Sequence, residues 1–279
     1  MTILVGYDGS DGGRDALELS RVMAEATDAG VLVVTVLPYG PLPIPYEVLE
    51  QEEGERAKPL FDEARERLGE LAVETRAFGG GTPAGVINDL AEREEVETIA
   101  IGSPHRGAVG RVLLGSVADG LLHGAPCEVL TAPRGYAGEE HGPFRTIAVA
   151  YDDTPEAKAA LARAEAVALA CRATIVLFTV SGPPAVVPGA TGYTPAIAPE
   201  AGPIVTRAVK GVDERLAATG RALAGVPGPT IAEACEETGA DLLVTGSRNY
   251  GPVMRVLIGS VSTQLMHRAP CPVLVVPRP

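Results

Sequence analysis

Long apolar runs are missing: nothing in the 279 residues approaches the roughly 18 consecutive apolar residues that a membrane-spanning helix needs. Cationic residues are scarce, 23 Lys and Arg against 36 Asp and Glu, for a net charge of −13. That balance excludes the broad basic face of a nucleic-acid binder, although a small anion can still be held by local groups. Cysteine is also rare. The four present form no C-x-x-C and no metal-ligand spacing, and Cys127 and Cys271 read as small buried hydrophobes. The four histidines and the scattered hydroxyls supply no metal cluster, nucleophile elbow or defined catalytic base. No catalytic residue is therefore assigned. Gly-x4-Gly-Lys-Ser/Thr is absent. Gly79-x-Gly81-x-x-Ala84 imitates a dinucleotide fingerprint, but the next strand ends at Ile101-Gly102 without a ribose-binding acid. A strand-like run, Ile3 to Tyr7, starts at once, so a cytoplasmic protein without a leader is expected.

What is present is a duplication. Gly102-Ser103, Arg111-Val112-Leu113, Gly115-Ser116-Val117, His123 and Ala125-Pro126-Cys127 return 144 positions later. Their second copies are Gly246-Ser247, Arg255-Val256-Leu257, Gly259-Ser260-Val261, His267 and Ala269-Pro270-Cys271. Asp8 and Asp152 keep the same offset. One register held across separate landmarks means two copies of one domain, expected at 1–134 and 145–279 with a glycine-bearing linker at 135–144. Apolar residues make up 46% of the chain, enough for two cores.

Each half alternates strand and helix signals. In the first, strands are expected at Ile3–Tyr7, Val31–Leu37, Val73–Phe78, Thr98–Ile101 and Val129–Thr131. The helices lie between them: one on the face of Ala16, Leu19 and Met23 stopped by Gly30, one over Gln51–Leu71, one from the Thr82-Pro83 cap to Arg93, and one opening at Ser116. The second half repeats strands at Thr146–Ala150, Ala173–Val180, Leu242–Thr245 and Val273–Val276, with a helix over Ala157–Cys171. Ser181 to Pro203, rich in Pro, Gly and Ala, reads as a long loop. Continuous apolar strands separated by helices indicate an α/β fold with a parallel sheet covered on both faces.

In such a sheet, ligands bind beyond the carboxyl ends of the strands. Asp8 and Gly102 end two strands there, and Gly115-Ser116 opens a helix whose free N–H groups suit a phosphate. A plain tight turn with a helix cap explains the same residues. Arg111 and Arg255 could meet phosphates or make helix-flanking ion pairs, and His123 and His267 suit helix ends.

Asp8-Gly9-Ser10 after a strand, Gly102-Ser103, Gly115-Ser116-Val117 and Ala125-Pro126-Cys127 together resemble the universal stress protein family. The second half is similar, through Gly246-Ser247-Arg248, Gly259-Ser260-Val261 and Ala269-Pro270-Cys271, so the resemblance spans nearly the whole chain. It implies two tandem Rossmann-like domains, each a five-stranded parallel sheet of order 3-2-1-4-5. It also implies a stress-response protein that binds ATP, with or without Mg2+, through Gly-x-x-Gly-x9-Gly-Ser/Thr. By the same likeness Val36 and Val180 line the adenine pocket, and Ile101 and Thr245 touch the ribose.

The chain departs from the pattern where His105 and Asn249 replace the second glycine. Both can crowd a phosphate or donate to it. Asp153, beside Asp152, adds a carboxylate near a polyanion. Two functions remain open: an adenine-nucleotide-binding regulator with slow or no hydrolysis, or a stress-associated scaffold without nucleotide that acts through protein contacts. The last strand of each half is an apolar edge, and single-domain relatives commonly dimerise. The fusion is thus expected to internalise a dimer by pairing the two edges, with further homo-oligomers open.

Overall fold

The computed structural model describes residues 1–37, 46–102, 116–122, 124–182, 201–247 and 259–277. They form two compact units that divide between Pro143 and Phe144.

The first unit contains β1 (Thr2–Gly6), α1 (Asp11–Thr27), β2 (Gly30–Leu37), α2 (Tyr46–Leu68) and β3 (Val73–Gly79). It continues with α3 (Pro83–Arg93), β4 (Thr98–Gly102), α4 (Ser116–Leu122) and β5 (Glu128–Ala132). The second unit has β6 (Thr146–Ala150), α5 (Pro155–Cys171), β7 (Thr174–Ser181), α6 (Ala201–Gly211) and β8 (Ala218–Ala224). It closes with α7 (Pro227–Thr238), β9 (Leu242–Gly246), α8 (Ser260–Arg268) and β10 (Val273–Val276). Within the first unit the strand order is β3-β2-β1-β4-β5, and within the second β8-β7-β6-β9-β10. All these pairings are parallel. Each unit is thus the 3-2-1-4-5 Rossmann-like sheet expected, with helices flanking it.

Central strands are fully buried, as at Ile3, Leu4, Val5, Ile147, Ala148 and Val149, because helices cover both faces of a parallel sheet. Helix starts follow local chemistry. Ser10 accepts from Gly13 N–H at α1, Thr82 from Gly85 N–H at α3, and Thr154 from Ala157 N–H at α5. A carboxylate pins the first strand of each unit. Glu97 accepts from Thr2 N–H at 2.9 Å, and Asp241 accepts from Arg145 and Thr146 N–H at 2.8 Å each.

Several boundaries differ from expectation. α1 is stopped by Asp28, in the left-handed region at φ 53°, and Gly30 instead opens β2. Arg172, at φ 58°, does the same after α5. α2 runs Tyr46–Leu68 rather than Gln51–Leu71, and Gly69 at φ 61° ends it. Residues 201–203, read as loop, open α6; most of the expected loop, 183–200, lies outside the described residues.

The segment expected to link the halves is folded onto α1. Gly135 and Ala137 N–H donate to the two carboxylate oxygens of the buried Asp15 at 2.9 and 2.8 Å. Tyr136 stacks on His141 with ring centroids 3.6 Å apart, and Arg21 donates to the His141 carbonyl at 2.9 Å. No helix among the described residues is long and apolar enough to cross a membrane.

Candidate functional site

A parallel sheet brings its strand carboxyl ends to one edge, and the expected site residues gather there. In the first unit Asp8 follows β1, Val36 is near the end of β2, and Ile101-Gly102 end β4. Asp8 accepts from Ser10 N–H at 2.9 Å, which shapes the turn around Gly9 at φ 76°. His105, Gly115, Arg111 and His123 lie outside the described residues, as does the side chain of Ser116. Val117, in α4, is 37% exposed.

The second unit holds a cleft of about 440 Å3 at the same edge. Asp152 and Thr154 border it from the turn after β6, Val180 from β7, Thr245 and Gly246 from β9, and Gly259 and Val261 from the start of α8. Ser260, expected beside them, is exposed and not part of the lining. Asn249 and Arg255 lie outside the described residues. Sequence reasoning missed Phe178 on β7, Pro227 and Ile231 on α7, and Ser262 on α8, all of which line the cleft. Pro227 at a helix start followed by Ile231 and Cys235 was the available signal.

The cleft lining is part polar and part apolar. Gly259 is the N-cap of α8 and supplies no side-chain hydrogen bond. The first turn of α8 therefore has no side-chain cap where it borders the cleft, and such a helix start suits an anion. Ser262 Oγ donates to the Gly246 carbonyl at 3.0 Å, tying α8 to β9. Phe178, Val180, Pro227 and Ile231 are among its apolar residues, of a kind that suits the face of a flat ring.

Gly102 and Gly246 also have a packing reason to be glycine. A Cβ on Gly102 would run into the Gly12 backbone, and one on Gly246 would sit 2.6 Å from the Glu156 carbonyl oxygen. Close approach of α1 to β4, and of α5 to β9, requires glycine with or without a ligand.

A buried tyrosine follows the first strand of each unit, with different charges beside it. Burial, then the Glu63 carboxylate, push the Tyr7 phenol up to about 12. Arg14 Nε donates to Glu63 at 2.8 Å and Arg67 Nε at 3.2 Å, and the Arg14 bond above all holds the Glu63 carboxyl down at about 2. In the second unit burial, then Asp153, raise the Tyr151 phenol. Tyr151 donates to Asp153 Oδ1 at 3.2 Å, and Lys158 Nζ lies 3.1 Å from the same oxygen. The Lys158 bond leads in holding the Asp153 carboxyl below its usual range. Asp153 therefore does not stand as a bare charge against a polyanion: it is engaged by Lys158 and Tyr151 and lies outside the cleft lining.

Cys127 and Cys271 are buried. Burial pushes the Cys127 thiol up to about 12, and a hydrogen bond with Cys235, then burial, raise Cys271. Such thiols are poor nucleophiles. His267 has a buried Nδ1 with no partner among the described residues, and desolvation lowers its pKa. No group of three or more His, Cys, Asp or Glu placed to hold a metal occurs among the described residues.

Comparison with known proteins adds the following. The profile of the universal stress protein family matches residues 1–133 and again 143–277. A universal stress protein of Mycobacterium tuberculosis is 27% identical, covering 99% of this chain and 100% of the relative. The crystal structure of a universal stress protein from Archaeoglobus fulgidus has a TM-score of 0.77 at 24% identity, covering 100% of this chain and 98% of that one, and shows the shared fold. A family member from Arabidopsis thaliana, solved with AMP bound, covers 48% of this chain and 92% of its own, at 20% identity and a TM-score of 0.35.

Proposed function

Because the chain belongs to the universal stress protein family, we propose that it is a stress-response regulator whose second half binds an adenine nucleotide. ATP is the ligand assigned to the cleft, taken alone or with Mg2+ and hydrolysed slowly or not at all. The observation that carries this reading is convergence: Asp152, Val180, Thr245, Gly246, Gly259 and Val261, scattered over more than a hundred residues, line one cleft. The uncapped start of α8 suits the phosphates, the apolar wall suits the base, and Asp152 can accept from the nucleoside. The protein is assigned to the cytoplasm, and the duplication is read as making a family dimer internal.

A scaffold reading without nucleotide has one observation in its favour: Gly102 and Gly246 are explained by helix–strand packing alone.

Gly259→Asp separates the two. Gly259 has φ −70° and ψ 161°, a conformation open to an aspartate N-cap. The new carboxylate should cap α8, leave stability unchanged or slightly higher, and exclude phosphate. Titration with ATP should show binding to the wild type and none to the second-half cleft of the variant. Unchanged binding by a folded variant would mean that the phosphate end is misplaced.

A further inference from the structure

Two of the four cysteines meet inside the second unit. Cys235 is fully buried in the last turn of α7, and Cys271 is buried two residues before β10. Backbone bonds bring both to the entry of β9, independently of their side chains. The Cys235 carbonyl accepts from Ala240 N–H at 3.0 Å, and the Pro272 carbonyl accepts from Leu243 N–H at 2.9 Å. There the two thiols hydrogen-bond each other.

The first half shows what packing alone requires. Ala91 stands at the position of Cys235, equally buried, and its carbonyl accepts from Val96 N–H at 2.9 Å in the same way. Cys127 matches Cys271 and is buried too, with an alanine rather than a thiol at the partner position. An alanine therefore serves that helix position, and the second thiol adds chemistry that packing does not ask for.

We propose that Cys235 and Cys271 are an oxidisable dithiol, which closes an intramolecular disulfide when hydrogen peroxide reaches the second half. One sulfur attacks the peroxide O–O bond and is oxidised to sulfenic acid, while the peroxide is reduced to one water. The other sulfur then attacks the sulfenic sulfur. The S–S bond forms, and the displaced hydroxyl leaves with the second thiol's proton as another water. Two thiols and one peroxide thus give one disulfide and two waters. Two equivalents of a small thiol reverse the step and are themselves oxidised to a disulfide. Burial slows the first attack, because it disfavours the thiolate. The second is intramolecular, so oxidation stops at the disulfide instead of climbing to sulfinic acid. In a reducing compartment such a pair stays as thiols until oxidant rises, which is the behaviour of a sensor and not of a structural staple. Cys235 lies one turn after Ile231 on the same face of α7, and Ile231 lines the cleft. The bond therefore fastens a helix that borders the cleft to the start of β10.

The folded full chain would be treated with hydrogen peroxide, quenched and denatured, its free thiols blocked by alkylation, and its peptides mapped by mass. The expected product is a linked Cys235–Cys271 peptide, about 2 Da lighter than the two reduced peptides together and lost on adding dithiothreitol. Cys127 should enter no disulfide. Cys235→Ala, which copies the first half, should leave Cys271 unlinked, and Cys271→Ser should leave Cys235 unlinked. Cysteines that all remain open to alkylation after treatment of the folded wild type would overturn the proposal. So would a bridge to Cys127 or Cys171, or a Cys235–Cys271 bond that forms only when peroxide is added in denaturant.

Discussion

The two halves share a backbone scheme and differ in how charge is distributed over it. Both place a left-handed residue after the first strand, but it is Gly9 at φ 76° in one and Asp153 at φ 66° in the other. In the first half the acid beside the tyrosine comes from α2, as Glu63, bonded by Arg14. In the second it comes from the turn itself, as Asp153, bonded by Lys158. Arg207 occupies the position 144 residues after Glu63 and acts on both Tyr151 and Asp153. The acid beside the tyrosine thus comes from a helix in one half and from the turn in the other. Each half sets an acid and a cation near its buried tyrosine, drawn from different elements.

Glycine at the strand ends is where the halves should be least tolerant. Gly102→Ala should cost about 3 kcal/mol or more, since its Cβ meets backbone that cannot rotate away. Gly246→Ala should cost less, because its contacts with Glu156 are less severe. Denaturant midpoints would rank the two, and the reverse order would contradict the packing account.

Asp15 has no acidic counterpart in the second half, where Ala159 stands at the same offset. Asp15→Ala should cost about 1 to 3 kcal/mol by leaving two backbone N–H groups without their acceptor. It should also open residues 135–143 to limited proteolysis, whereas Ala159 variants leave the cleavage pattern unchanged.

The Glu63 cluster should show in the pH dependence of stability. The folded carboxyl, at about 2, lies below its ordinary value. Its contribution is therefore full above the unfolded pKa and is lost as pH falls through that of the folded state. Glu63→Gln should be less stable than wild type above about pH 5, with the gap closing towards pH 2. A gap independent of pH would assign the loss to packing.

The smallest effects are expected from exchanging the turn residues. Asp153→Gly relieves a left-handed aspartate but gives up a half-exposed ion pair, so it should fall within about 1 kcal/mol of wild type. Gly9→Asp should cost more, since it combines positive φ with a Cβ 2.8 Å from Leu60. Thermal melts of the two variants would show the asymmetry.

Most strands were legible because continuous apolar runs such as Ile3–Val5 and Val273–Val276 have few other uses. β8 was not. Ala-Thr-Gly-Arg-Ala-Leu-Ala is a half-exposed strand bordering only β7 within its unit, and it offers neither an apolar run nor clean alternation. Gly220 is used there for close packing, its missing side chain leaving room for Val205. Missing β8 also hid α7, and with it Pro227 and Ile231 in the cleft wall. The motif glycines were readable, but their packing role was not, since only the fold brings Gly102 against Gly12. The partners of Asp153 were likewise beyond the sequence, which places a carboxylate in the turn but not its contacts with Tyr151 and Lys158.

The account rests most directly on what the second-half cleft carries. The full chain and Gly259→Asp would be purified without added nucleotide and denatured, and the released small molecules identified by mass. The account predicts near-stoichiometric adenine nucleotide from the wild type and a large loss from the variant. A wild type that releases none, and takes up neither ATP nor AMP on titration, would contradict it.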